Sequence, residues 1–166
     1  LPLFDIEYIF LQIRAKSVGE TTTLEVTCPD DNETKVKIEV DLTTLKVEMD
    51  EKHSPRIELT DDMGIIMTYP TIDSFEKSGM QTINAKNMLD VIGSCVLQIY
   101  EQKGEKVYQA KDQTTKELTE FIESMNSAQF KKVQKFFDTM PKLKHTITVK
   151  NPKTKKESEV ILQGLN

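Results

Sequence analysis

Two stretches near opposite ends of the chain follow one pattern, and that echo limits the folds open to it. TLEVTCPDDNETKVKIEVDL, from Thr23, superposes without gaps on TITVKNPKTKKESEVILQGL, from Thr146, at a shift of 123 residues. Leu24 falls on Ile147, Val26 on Val149, Pro29 on Pro152, Ile38 on Ile161 and Leu42 on Leu165. Each stretch alternates apolar with polar residues on either side of a turn-rich middle, which is the pattern of a β-hairpin with one wet face. Each follows an amphipathic helical pattern. The echo predicts pseudo-symmetric packing of the two ends around central helices. Chance alternation is the alternative, because two copies are too few for a repeat array.

The first of those helices is written in LPLFDIEYIFLQIRAKSVGE. Asp5 is placed to accept from the free amides of a first turn, while Ile6, Ile9, Phe10 and Ile13 recur at i, i+3, i+4 and i+7. Phe4 and Ile9 stand where a hydrophobic staple would. Tyr8 and Leu11 widen the apolar stripe beyond one face, so the helix is either deeply buried or keeps a second surface for a partner. Gly19 ends it. Beyond the first hairpin, short alternating runs at residues 45–49, 56–59 and 65–69 bring this half to about five strands, a usual sheet size.

After Pro70 the apolar period changes to that of helices. Thr71 is placed to cap a short helix through Phe75. Residues 87–101 carry Met88, Val91, Ile92, Cys95, Val96 and Ile99 at helical spacing, with Gly93 as a weak point. A brief extended piece follows at Val107 and Tyr108. Thr114 or Thr115 then caps a helix bearing Leu118, Phe121, Ile122 and Met125. Ser127 caps another bearing Phe130, Val133, Phe136, Phe137 and Met140, which Pro141 stops. The fold class is therefore α+β: a helix then a hairpin at each end, antiparallel strands in the first half and a helical middle. We expect a single domain over residues 1–166, with two lobes at 1–70 and 71–166 as its internal division.

Charge is divided along the chain more sharply than the net −5 shows. Residues 1–127 hold 13 Lys/Arg against 24 Asp/Glu, and residues 128–166 hold 9 against 3. Such polarity can orient a partner, although a charge run is more often a solvated face. An apolar content of 37% excludes a disordered chain. Cys28 and Cys95 are far apart and form neither a disulfide framework nor a paired metal motif, which fits a reducing compartment. No apolar run reaches the roughly 18 to 20 residues that span a bilayer, so no membrane partner is expected.

Chemical constellations are scarce. The six glycines are scattered and make no phosphate-cradling loop. His53 and His145 lie in no nucleophile motif, and Cys95 sits in an apolar pattern typical of a small core residue. Asp61 with Asp62 and Asp73 with Glu76 lie in turn or helix-start sequence, where carboxylates are favoured without catalysis. Cys28-Pro29 looks like half of a zinc knuckle. Structural zinc needs four N or S ligands, however, and the echo puts Asn151 where another sulfur would stand. The lysines of the last quarter, from Lys131 to Lys156, lack interleaved aromatics and sit in an acidic chain, which argues against nucleic acid. No cofactor, metal, nucleic acid or small-molecule substrate is expected.

LPLFDIEYIFLQIRAKSVGE, IELTDDMGIIMTYP and FFDTMPKLKHTITV are similar to signature stretches of the baseplate hub proteins of T-even-like contractile-tailed phages, and the resemblance covers essentially the whole chain. It implies a non-enzymatic structural or assembly protein of the tail hub whose partners are other baseplate hub proteins. It also implies a location in the host cytoplasm during assembly and in the virion baseplate if the chain is retained. A further segment ahead of Leu1 is implied as well, and relatives with cysteine pairs at the hairpin tips contrast with the single Cys28 here. A transient assembly chaperone is the runner-up, and a tail-associated hydrolase the enzymatic alternative. Candidate interface residues are Leu3, Phe4, Tyr8 and Leu11 on the first helix, with Pro29 and Pro152 at the two tips.

Overall fold

The computed structural model describes residues 1–73 and 88–163. In chain order its elements are α1 (Leu3–Ser17), β1 (Thr21–Thr27), β2 (Lys35–Asp41), β3 (Lys46–Glu48), β4 (Arg56–Glu58) and β5 (Met63–Met67). There follow α2 (Met88–Ser94), β6 (Val96–Glu101), β7 (Lys106–Gln109), α3 (Thr115–Glu123), α4 (Ser127–Thr139), β8 (Lys142–Lys150) and β9 (Glu157–Gln163). The class is α+β, as the sequence predicts. Contacts divide the chain into a first unit, Leu1–Leu3 with Met49–Met140, and a second, Phe4–Glu48 with Pro141–Asn166. The division therefore falls after residues 48 and 140, where the chain leaves and re-enters the second unit, and not near residue 70.

The second unit gathers the two hairpins. β1 pairs antiparallel with β2, setting Leu24 opposite Ile38 and Val26 opposite Val36. β8 pairs with β9 and, on its other side, with β3, giving the order β3-β8-β9. Val40, Leu42, Leu45 and Leu143 close a core over which α1 lays Leu11 and Ala15. The hairpins thus cluster with each other in the second unit, whereas α4 belongs to the first.

The gapless echo also needs correction. Ile147 faces Val160 and not Ile161, because the second tip is one residue shorter: six residues separate Lys150 from Glu157, against seven between Thr27 and Lys35. A one-residue slip exchanges the faces of a strand. Ser158, Val160 and Leu162 accordingly turn inward, and Ile161 is left 52% exposed.

The first unit is an antiparallel sheet in the order β4-β5-β6-β7, with α2, α3 and α4 contributing to its apolar core. Ile65 and Val133 are fully buried there and Phe136 is 2% exposed, each burial worth about 1.5–3 kcal/mol. The helix expected over 87–101 is instead a short helix and a strand. Ser94 Oγ and the Cys95 N–H both bond to the Val91 carbonyl, closing the last turn. β-branched Val96 and Ile99 then complete β6 against β5. An apolar spacing that suits a helix also suits a buried strand, and sheet pairing decided between them. Gly64 is required in β5, since a Cβ there would lie 2.2 Å from Tyr100 Oη.

Helix starts differ from expectation at two places. α1 begins at Leu3, whose N–H donates to the Pro70 carbonyl, so Asp5 lies inside the first turn and Phe4 is no staple residue. Asn126, not Ser127, caps α4: its Oδ1 accepts from the Ala128 and Gln129 amides, and Gln129 Oε1 accepts from the Asn126 amide in return. Thr114 caps α3 in the same reciprocal way with Glu117. Met140 is extended ahead of Pro141, where α4 stops. The helix expected from Thr71 to Phe75 lies outside the described residues beyond Asp73.

Candidate functional site

The two hairpin tips are built alike and lie against one another. Each opens with a buried residue at the equivalent place, Cys28 in one and Asn151 in the other. The carbonyl of each accepts from an amide four residues on, Asn32 to Cys28 and Lys155 to Asn151. Asn32 and Lys155 are the left-handed residues that turn the chain, with φ of 54° and 61°. Shared geometry at tips of unequal length gives the sequence echo a structural cause.

Polar side chains then join the tips. Asn151 Nδ2 donates to Asp30 Oδ1 and Asp31 Oδ2, each at 2.9 Å, and the Thr154 hydroxyl bonds the other oxygen of Asp30. Asp31 is held on its own tip by the Thr34 hydroxyl at 2.5 Å and by the amides of Thr34 and Glu33. These donors hold both carboxyls below the usual carboxylate range, Asp30 chiefly through the Thr154 hydroxyl and Asp31 chiefly through the Thr34 hydroxyl. One tip carries Asp30, Asp31 and Glu33, the other Lys150, Lys153, Lys155 and Lys156. The carboxylates of the first tip are met across the joint by the neutral Asn151 and Thr154 side chains.

That arrangement is a poor fit to a metal. Burial, then the nearby Asp30 and Asp31, push the Cys28 thiol up, which disfavours the thiolate a metal needs. The carboxylate oxygens that might join it are engaged by Asn151, Thr154 and Thr34. Among the described residues no group of three or more His, Cys, Asp or Glu is placed to hold a metal ion.

α1 presents its apolar residues in a different sense from the one its spacing implies. Leu11 and Ala15 are buried at 6% and 3%, whereas Ile9, Phe10 and Ile13 are 45%, 61% and 58% exposed. Leu3, Phe4 and Tyr8 are half-buried, and Pro29 and Pro152 are exposed beside the buried Cys28 and Asn151. The structure brings together the two tips that carry those prolines. It adds Asp30, Asp31, Thr34, Asn151 and Thr154, which sequence reasoning passed over. Their residue types were present in CPDDNE and KNPKTKKE, the turn-rich middles of the two hairpins, but no local pattern connects one with the other.

A family model for T4 bacteriophage base plate protein matches residues 1–166, the whole chain. The chain belongs to that family. No curated protein and no solved structure matches it. Membership in the T4 base plate family gives the chain a structural role in a phage baseplate, with other baseplate proteins as its partners and the virion tail as its place. No helix among the described residues of this T4 base plate family member is long and apolar enough to cross a membrane.

Proposed function

We propose that the chain is a non-enzymatic component of the central hub of a contractile-tail baseplate, acting by docking to other hub proteins. The observation that carries this reading, beside the family, is the exposed apolar stripe of Ile9, Phe10 and Ile13 on α1. Three large apolar residues on successive turns of one helix are a recurrent mark of a surface that is covered in an assembly. Leu3, Phe4 and Tyr8 are half-buried, Tyr8 packing on the core beside Leu11, so they frame the stripe rather than extend it, and Pro29 and Pro152 offer a second contact at the joined tips. Leu11 supports the helix from beneath. Docking through preformed surfaces needs no reacting group, so neither a cofactor nor a catalytic residue enters the reading. The proposed site of action is the host cytoplasm during assembly and the baseplate afterwards.

Capture of tagged chain from infected cells, together with the protein composition of purified virions, tests the proposal. Recovery of hub proteins and persistence in finished tails support a resident subunit. Recovery from assembly intermediates with absence from virions supports the assembly chaperone. Phe10→Asp should abolish capture while the chain stays folded; undiminished capture would remove α1 from the interface. Lysis of peptidoglycan by the purified chain would overturn the non-enzymatic reading.

A further inference from the structure

We propose that the cleft between β4 and α4 in the first unit is a docking site for an acidic segment of a partner protein. The cleft encloses about 210 Å³ and is lined by Lys52, Arg56, Lys132 and Lys135 against one carboxylate, Glu58. None of the four cations is in an ion pair within the described residues, where Lys35, Lys116 and Lys144 do find carboxylates. In a chain of net charge −5, four unpaired cations around one concavity mark a place where negative charge is missing.

The local backbone shows which occupant suits it. β4 is the end strand of its sheet, yet its outer edge is already blunted. Lys132 Nζ donates to the Glu58 carbonyl at 2.7 Å, and the Ser54 hydroxyl bridges the Arg56 amide and carbonyl. Strand addition is thereby disfavoured, and recognition falls to side-chain charge. Arg56 is itself committed, its Nε donating to Tyr100 Oη at 3.0 Å with the guanidinium 4.5 Å over that ring. Lys52 and Lys135 have no such side-chain engagement among the described residues and stand as point charges at the cleft. Lysines spaced around a cleft suit several carboxylates on a peptide better than a single bidentate phosphate, for which a free arginine fork is the better match.

The class of partner rests on the docking reading above, whereas the cleft stands on its own geometry. The test is fluorescence anisotropy of the full chain with a labelled glutamate-rich peptide, its lysine-for-glutamate counterpart, and inorganic phosphate as competitor. The acidic peptide should bind, the basic one should not, and raising salt from about 50 to about 500 mM should weaken binding severely. Lys52→Glu combined with Lys135→Glu should weaken it at least about tenfold. Lys153→Glu with Lys155→Glu, at the other basic region, should leave it within about twofold. Melting curves check that each variant folds, and Lys52→Met with Lys135→Met replaces a reversal that does not. Absence of peptide binding, an equal loss in the tip variant, or full competition by millimolar phosphate would overturn the proposal. So would self-association of the chain that the cleft variant abolishes, since the occupant would then be a second copy. Undiminished capture of hub proteins by the cleft variant would remove the cleft while leaving docking intact, whereas failure of the unaltered chain to capture them would sink the docking reading itself.

Discussion

The two units close their interiors by different means. In the first, the largest fully buried side chains are Ile65, Ile122 and Val133, with Phe136 stacked on Tyr69, tilted against His53 and edge-on to Phe137. In the second, Asn151 and Cys28 are buried beside Val149, and the two hairpins meet through hydrogen bonds to a pair of carboxylates. Apolar burial itself carries no titrating group, whereas a carboxylate network is held only while its members stay ionised. The second unit, which also has an apolar core of Leu11, Ala15, Val40, Leu42, Leu45 and Leu143, should therefore be sensitive to lost partners at its tips as well as to cavities.

Cavity variants give the largest expected effects. Phe136→Ala in the first unit should cost about 3–5 kcal/mol, because the ring fills space among three other rings and its loss leaves a void. Leu11→Ala is the corresponding change in the second unit, at about 2–5 kcal/mol. Urea denaturation of the intact chain measures both. A cost below about 1 kcal/mol for Leu11→Ala would mean that α1 does not close that core.

Next comes the polar joint. Asn151→Ala removes the amide that links Asp30 to Asp31 and should cost about 1–3 kcal/mol, the range for a lost hydrogen bond to a charged group. A cost near zero would show that water replaces the amide and that the tips are held by their turns alone. Val149→Ala, two residues earlier on the same face, separates loss of the joint from loss of packing.

Acid should then divide the units by pH. Asp30 and Asp31 have folded pKa values below their unfolded ones. Their stabilisation is present above about pH 4 and is lost as pH falls below it. His53 acts earlier. His53 Nδ1 is hydrogen-bonded to Thr139 Oγ1 at 3.0 Å, a hydroxyl that also reaches the Lys135 carbonyl at 2.8 Å, and His53 Nε2 is buried without a hydrogen-bond partner among the described residues. Burial lowers its pKa, with Asp50 opposing. A depressed histidine favours the folded state above its unfolded value of about 6.5, and that contribution fades as pH falls from there. Amide exchange between pH 7 and 3 should show the first unit loosening below about pH 6.5, well before the tips do. His53→Phe should remove the earlier step, and its persistence would assign that step to another group.

Much of this contrast was legible in the residues, and the rest was not for definite reasons. Alternation marked both hairpins and a capping pattern marked α3, because those signals are local. β6 was hidden inside a helical spacing, since only the presence of β5 as a pairing partner reveals it. The face of α1 could not be read because apolar residues surround it: Ile9, Phe10 and Ile13 keep helical spacing as well as Leu11 and Ala15 do. The tip joint depended on two segments some 120 residues apart in sequence, which no local pattern connects. Lys132 and Lys135 gave the plain signal of a solvated helix face until β4 placed Lys52 and Arg56 opposite them.

The smallest expected effect sharpens the comparison within α1. Phe10→Ser should change folding stability by no more than about 0.5 kcal/mol, since an exposed ring loses little buried area and serine is only slightly the poorer helix former. Leu11→Ala, one residue on, is predicted to be several times as costly, so the pair measured side by side reads the helix orientation directly. If Phe10→Ser cost more than about 1 kcal/mol in the isolated chain, Phe10 would belong to the core and the stripe could not serve as a free docking face. If the cost is small and capture of baseplate partners falls, the same residue separates folding from assembly, which is the behaviour required of a surface kept apolar for another protein.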